Sequence, residues 1–400
     1  MKFLLVFSCL IAISCTSADE KLSRKADRIH DDILSVDTHC DTPMRLLRGG
    51  FDPGVRNEKG SVDFPRMKEG RLDAEFFAIF IGQGPRTPED YEKAHAMTLA
   101  TFDSVKASVA RYPHLAGIAL NPDDAWKLKS EGKVAIFMGI ENGYPLGTDL
   151  SKIQQYHGLG ARYITLCHSS NNDICDSSTD KTGPEHNGLS PFGEEVVREM
   201  NRVGMMVDVS HISDESFYDV LAVTRAPVIA SHSSCRALCE SPRNLNDEML
   251  QALKKNGGVI QICILSDYLR QPEPNPEYDA KVMELRNKWR EMGPELTDQQ
   301  QEQRWAEFSE LRKKYLRLAT VEDAVNHIQH VIDVIGIDYV GIGSDFDGGG
   351  SIEGCTDVSM MKNITKELIR RGYSRDDIAK IWGGNFMRVM NEVQALSVRQ

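Results

Sequence analysis

"SVDTHCDTP" (residues 35–43) follows Ile33 and Leu34 directly and reads as the end of a buried strand. Side chains alternate along a strand, so His39 and Asp41 leave one face and Cys40 the other. Two polar groups aimed together out of a core either satisfy each other or hold something. The same kind of ending recurs along the chain.

Seven further apolar, β-branched runs follow: "EFFAIFIG", "KVAIFMGIE", "ARYITLCH", "GMMVDVSH", "APVIASH", "GGVIQICIL" and "DYVGIGSDF". Amphipathic stretches such as "YEKAHAMTLATFDSVKASVARY" and "FGEEVVREMNRVG" separate them. Strands alternating with helices imply parallel pairing with both faces covered, and eight units predict an α/β fold closed into a TIM-type (β/α)8 barrel. A doubly wound open sheet is the alternative, but its glycine-rich phosphate loop is missing after the first run. Residues 267–320 break the rhythm. Val282, Leu285, Trp289 and Met292 share one helical face, Trp305, Phe308, Leu311 and Tyr315 another, and Thr297 with Gln300 makes a capping-box start. This predicts a helical hairpin inserted after the seventh strand, either covering the barrel mouth or serving as a packing arm.

Glu141 closes the third run, His168 the fourth, His211 the fifth, His232 the sixth and Asp345 the eighth. With His39 and Asp41, ionisable groups end six of the eight strands. In such a barrel these ends converge on the C-terminal rim, where chemistry is assembled. A lone histidine on an apolar run is ordinarily a satisfied core residue, but gathering all these groups without a compensating charge is very costly. A metal supplies that charge. Imidazoles and carboxylates suit zinc, manganese or iron, and the set is large enough for two ions bridged by one carboxylate. Two ions about 3.5–4 Å apart acidify a water and polarise a carbonyl or phosphoryl oxygen, which is hydrolase chemistry. In "DYVGIGSDFDG", alternation puts Gly341, Gly343 and Asp345 on one face, with the glycines leaving space for metals and substrate. Cys40 and Cys167 turn away from the rim and read as packing. His327 and His330 fit a surface or packing role, and His95, His114, His157 and His186 belong to no constellation.

The 400 residues carry a formal charge of −12 and no basic block, which argues against nucleic acid as a partner. Residues 1–18 have the lysine, apolar stretch and small residues of a secretory signal, with cleavage after Ala18 or lipid attachment at Cys15 as options. Residues 19–400 are then one catalytic domain without a transmembrane span, exported to a periplasm, held there as a lipoprotein, or secreted. Seven cysteines remain, an odd number with irregular spacing, which reads as small buried hydrophobes; a bridge from Cys235 to Cys239, on one helical face, or to Cys263 is the alternative.

The H-x-D of "DTHCD", the glutamate of "GIEN", "ITLCH", "DVSH", "SHSS", the arginine of "SPRNL", "GIGSDFDG" and the closing "KIWGGNFMRV" together resemble the membrane (renal) dipeptidase family of zinc peptidases, over roughly residues 30–390. The resemblance implies an amidohydrolase-type barrel holding two zinc ions and hydrolysing dipeptides. His39, Asp41 and Glu141 would bind one ion; Glu141, as the bridge, with His211 and His232 would bind the other. It places His168 and Arg243 on the substrate and makes Asp345 the proton-transfer carboxylate. Under it, a homodimer is an expected assembly. The sequence departs from mammalian members in the absence of a hydrophobic tail on "NEVQALSVRQ", in a vacant partner position for Cys239, and in the longer hairpin.

On this reading His168 donates to the developing oxyanion and Arg243 offers a planar fork to the substrate's C-terminal carboxylate. Two rivals are a different metal hydrolase on the same barrel (a lactonase, deaminase or phosphotriesterase) and a non-enzymatic metal-binding lipoprotein. The complete ligand set counts against the second.

Overall fold

The computed structural model describes residues 17–293 and 296–397, so most of the expected signal segment, Cys15 included, lies outside the described residues. Nine parallel strands form one sheet: β1 Val36–Cys40, β2 Ala74–Phe80, β3 Ala116–Ile118, β4 Val134–Glu141, β5 Ala161–Thr165, β6 Met206–Asp208, β7 Ile229–Ser233, β8 Val259–Cys263 and β9 Val340–Gly343. Eight of them run in the order β1-β2-β4-β5-β6-β7-β8-β9 around a nearly closed barrel wrapped by helices. The seam between β1 and β9 is stitched just beyond their ends. The Asp345 amide donates to the His39 carbonyl at 2.9 Å, the Asp41 amide to the Phe346 carbonyl at 2.7 Å, and the Ser344 amide to the Asp37 carboxylate at 2.6 Å.

The ninth strand, β3, was not among the expected runs. It is only "AGI", and it pairs with the first residues of β4 on the edge whose later residues pair with β5. The expected strands are present, as are the helices between them. Ser190 caps the helix Pro191–Val203 by accepting from the Gly193 amide, Val196, Val197 and Met200 turn inward, and Gly204 ends it at φ 81°.

Inside the barrel Phe76 stacks on Phe137 at 4.6 Å, and Tyr163 lies beside them. The C-terminal helix Asn385–Ser397 sets Phe386, Val389, Met390 and Val393 against this interior and closes its lower end. Each such side chain contributes about 1.5–3 kcal/mol of burial. The barrel is therefore a packed core, open only at the rim.

The hairpin is real and follows β8. Helices Pro276–Glu291 and Asp298–Tyr315 pack together, Thr297 and Gln300 form the expected capping box, and Trp289 is buried with its indole N–H on Glu307 at 3.1 Å. All seven described cysteines are buried and free. Cys235 and Cys239 share no helix, since Cys235 bridges to Leu245 in extended backbone. The packing reading of the cysteines holds, and the proposed bridges do not form. His327 is likewise structural: it accepts from the Cys235 amide at 3.0 Å and its Nε2 meets the Leu269 carbonyl at 3.0 Å.

Candidate active site

Three of the rim residues sit in strands, namely His39, Glu141 and His232. His168, His211 and Asp345 lie in the turns just beyond β5, β6 and β9, so alternation does not aim them. Backbone conformation does. His211 and Asp345 adopt φ 73° and 60°, and Asn142, directly after Glu141, φ 78°. Left-handed backbone at non-glycine residues carries strain, and here it gathers where polar side chains must turn inward. Bulges help as well. Between Asp37 and Cys40 the register of β1 advances three residues against two of β2, which brings both Thr38 and His39 to the interior. β7 does the same against β8 between Ala230 and Ser233, around His232.

Glu141 is the centre of the group. Its Oε1 lies 3.1 Å from His211 Nε2, 3.4 Å from His232 Nε2 and 3.7 Å from His168 Nε2, while its Oε2 lies 3.5 Å from His39 Nε2. His39 Nε2 is also 3.7 Å from Asp41. The ligand atoms of His39, Glu141 and His232, of Glu141, His168 and His211, and of His39, Asp41 and Asp345 form three sets, each within 4.8 Å. His168 thus stands as near a ligand position as it does to the open cavity. Every expected rim residue is in this one place.

The cavity measures about 730 Å³, and its wall includes Asp41, Glu141, His168, His211, His232, Arg243 and Asp345. Arg243, 4% exposed, donates to the His232 carbonyl at 3.0 Å and lies 5.3 Å from the centre of the Tyr268 ring. Its Nε has no partner, and no carboxylate pairs with it among the described residues. Apolar walls come from Met44, Phe80, Leu265 and Tyr268. Phe80 and Leu265 lay in quoted runs without a sign of this role, and Met44 and Tyr268 lay outside them; Tyr268, three residues after the β8 run, had position alone as a signal. Among the described residues of 267–320, Tyr268 alone lines the cavity, so the described part of the hairpin is an arm rather than a lid.

The expectation about the two β9 glycines needs correction. A Cβ at Gly343 would meet the Ser231 carbonyl at 2.0 Å, and one at Gly341 the Gln261 side chain at 2.0 Å. These glycines permit close packing inside the barrel and leave no room for substrate. The glycine that does shape the site is Gly348, whose Cβ would lie 2.0 Å from Asp41 Oδ2 and 2.3 Å from Asp345 Oδ1.

Burial dominates the electrostatics. It raises Asp345 well above the carboxylate range, helped by Asp41, and lifts Asp41 to about 6, helped by Glu141. It lowers His211 well below its ordinary value and His232 to about 3, so both imidazoles are neutral, the form that ligates metal. Glu141 resists its own burial: the His39 charge and the close His211 and His232 rings hold it well below the usual range. Buried His39 Nε2 and Asp41 Oδ1, both facing the group, lack any hydrogen-bond partner. Neutral imidazoles, crowded carboxylates and orphaned donor atoms around one point are what a divalent cation would satisfy, so the residues fit a metal.

The sequence model of the membrane dipeptidase family, peptidase family M19, matches residues 23–400. The chain belongs to the membrane dipeptidase family. This M19 chain is 34% identical over 396 residues to dipeptidase tcpJ of Claviceps purpurea, covering 98% of itself and 81% of that protein. It is 34% identical to dipeptidase verJ of Clonostachys rogersoniana over 395 residues, covering 95% of itself and 89% of that relative. The crystal structure of the probable dipeptidase PvdM from Pseudomonas aeruginosa superposes with a TM-score of 0.81 at 35% identity, covering 94% of this chain and 99% of that one. A metallopeptidase from Rhodobacter sphaeroides, solved with a phosphinate mimic of L-Ala-D-Ala, shares the fold at 23% identity and a TM-score of 0.73, covering 90% of this chain and 99% of that one. The M19 chain is accordingly a metal-dependent hydrolase of dipeptidase type, with its candidate metal residues at the barrel rim.

Proposed function

We propose that this dipeptidase holds two zinc ions, one on either side of Glu141, and hydrolyses dipeptides that carry a free C-terminal carboxylate. His39, Asp41 and Glu141 Oε2 would hold one ion, and Glu141 Oε1, His211 and His232 the other; the two glutamate oxygens facing different histidines support this division. Zinc bound there would polarise the peptide carbonyl and acidify the attacking water.

The carrying observation is Arg243, a buried guanidinium on the cavity wall with no carboxylate of its own. A substrate carboxylate would supply that partner through a charge-assisted pair, and a chain extended past this point would have none to offer. His168, with its Nδ1 2.8 Å from the Ser169 hydroxyl, turns Nε2 toward Glu141 and serves as donor to the carbonyl oxygen as charge develops. Asp345 takes a proton from water and returns it to the leaving amine. Export through residues 1–18 belongs to the same proposal; no helix among the described residues is long and apolar enough to cross a membrane.

The test is a substrate panel run on zinc-loaded protein with metal content measured on the same sample. Free-acid dipeptides should turn over at about two zinc ions per chain. C-amidated dipeptides, lactones, amidated bases and phosphotriesters should be poor or inert. Turnover of a lactone or phosphotriester with none of any dipeptide would overturn the proposal.

A further inference from the structure

Asp208 ends β6 below the rim and is fully buried. The amides of Ser210 and Ser231 donate to its Oδ1 at 3.0 and 2.9 Å. The hydroxyls of Thr165 and Ser231 lie 2.5 and 2.6 Å from its Oδ2. With two amides on Oδ1 and two hydroxyls on Oδ2, the carboxylate is the acceptor in all four contacts, so Ser231 spends its single proton on Asp208. The Ser231 oxygen also lies 2.8 Å from His232 Nδ1. With its proton committed, it can only accept there.

We propose that Asp208, acting through Ser231, is a positioning residue that fixes His232 with its proton on Nδ1 and its Nε2 lone pair turned into the site. The inference rests on the reading of His232 as a metal ligand and adds what makes it one. Only a bare Nε2 can ligate, and an imidazole free to choose would share its proton between both nitrogens. The other rim histidines are served differently. His39 Nδ1 lies 2.9 Å from the Tyr163 hydroxyl, which itself reaches the Thr38 carbonyl at 3.3 Å, whereas His211 Nδ1 has no partner. Of the rim histidines' Nδ1 atoms, that of His232 is the one tied to a buried carboxylate, through one hydroxyl.

The experiment is a chelator competition that reads zinc bound per chain, on wild type and on Asp208→Asn, Ser231→Ala, Thr165→Val and His232→Gln, with urea unfolding of each metal-free protein as the check on folding. Asp208→Asn and Ser231→Ala should weaken one zinc ion by about 10–100-fold and leave the other in place. Thr165→Val removes a neighbouring hydroxyl from the same carboxylate without touching the Ser231 link, so its zinc affinity should stay within about twofold of wild type. If His232→Gln keeps both ions at wild-type affinity, the ligand reading itself fails. If His232→Gln loses an ion while folded Asp208→Asn and Ser231→Ala hold both as wild type does, the relay alone is wrong. Equal weakening by Thr165→Val would reduce Asp208 to a packing role. Should Asp208→Asn not fold, Ser231→Ala decides the matter.

Discussion

Asp345 stands at the cavity wall beside Asp41, whereas Asp347 gives its oxygens to the Thr42 hydroxyl at 2.7 Å, the Ser61 amide at 2.9 Å and the Arg45 guanidinium at 3.1 Å. The two carboxylates, separated by Phe346, should therefore fail differently. Asp345→Asn is expected to lower kcat by roughly 10²–10⁴-fold with zinc retained. Asp347→Asn should leave kcat of the folded enzyme near normal and lower stability by about 1–3 kcal/mol, because it breaks a buried charged hydrogen-bond set. Metal content, kcat and urea unfolding on both variants check this, and loss of turnover in Asp347→Asn alone would reverse the assignment. Arg243→Met should raise KM for free-acid dipeptides by roughly 10-fold or more and change little for an amidated one. Equal losses on both substrates would remove Arg243 from carboxylate binding. Gly348→Ala should cost zinc and activity together, since the new methyl group collides with Asp41 and Asp345; a fully loaded, active variant would mean that the loop yields freely.

At the scale of elements, the hairpin is the clearest case. Its seam and the Lys288–Glu307 pair at 2.7 Å are internal to it, and none of the described residues of its two helices lines the cavity wall. Replacing residues 276–315 by a short flexible linker should preserve kcat/KM for a dipeptide within about threefold, a difference under 1 kcal/mol. A much larger loss would show that the arm supports the rim through Tyr268. The strand ends were legible in the sequence because buried parallel strands are continuous apolar runs, and six of the eight ended in an ionisable residue that had no business in a core. β3 was not legible, since three residues carry no period. Nor were the left-handed turns at His211 and Asp345, or the bulges at His39 and His232: alternation extrapolated past a strand's end assigns a face that the backbone has already abandoned. Asp208 and Tyr163 lay in quoted runs, but their role appears only when β5, β6, β7 and β1 are set side by side.

For the whole molecule, acid sensitivity follows from histidines far from the chemistry. His30 packs edge-on against Trp382 at 5.1 Å and meets the Arg71 carbonyl and the Thr365 hydroxyl. Burial lowers it, and likewise His327, from the ordinary 6.5 to about 4. The unfolded chain therefore takes up these protons first. Their contribution is complete above pH 6.5 and is lost as pH falls toward 4, on the order of 3 kcal/mol each. Urea unfolding at stepped pH should show that decline, and His30→Gln should make it shallower; an unchanged acid slope would mean that His30 takes up its proton as readily in the folded chain as in the unfolded one.

The seam between β1 and β9 also sets an order in time. Its partners Asp37 and Ser344 are 307 residues apart in the chain, and the same few residues that lace the barrel shut carry His39, Asp41 and Asp345 into place. On the ribosome, the first half of the pocket waits through almost the whole of synthesis for the second. A nascent chain can pair its early strands as they emerge, yet it owns no working centre until the last of them arrives. Closing that loop is the slowest kind of contact to make. Activity would thus be a signature of completed assembly: a chain halted before Ser344 would keep most of the barrel but lack Asp345, and with it the proton transfer proposed for that carboxylate.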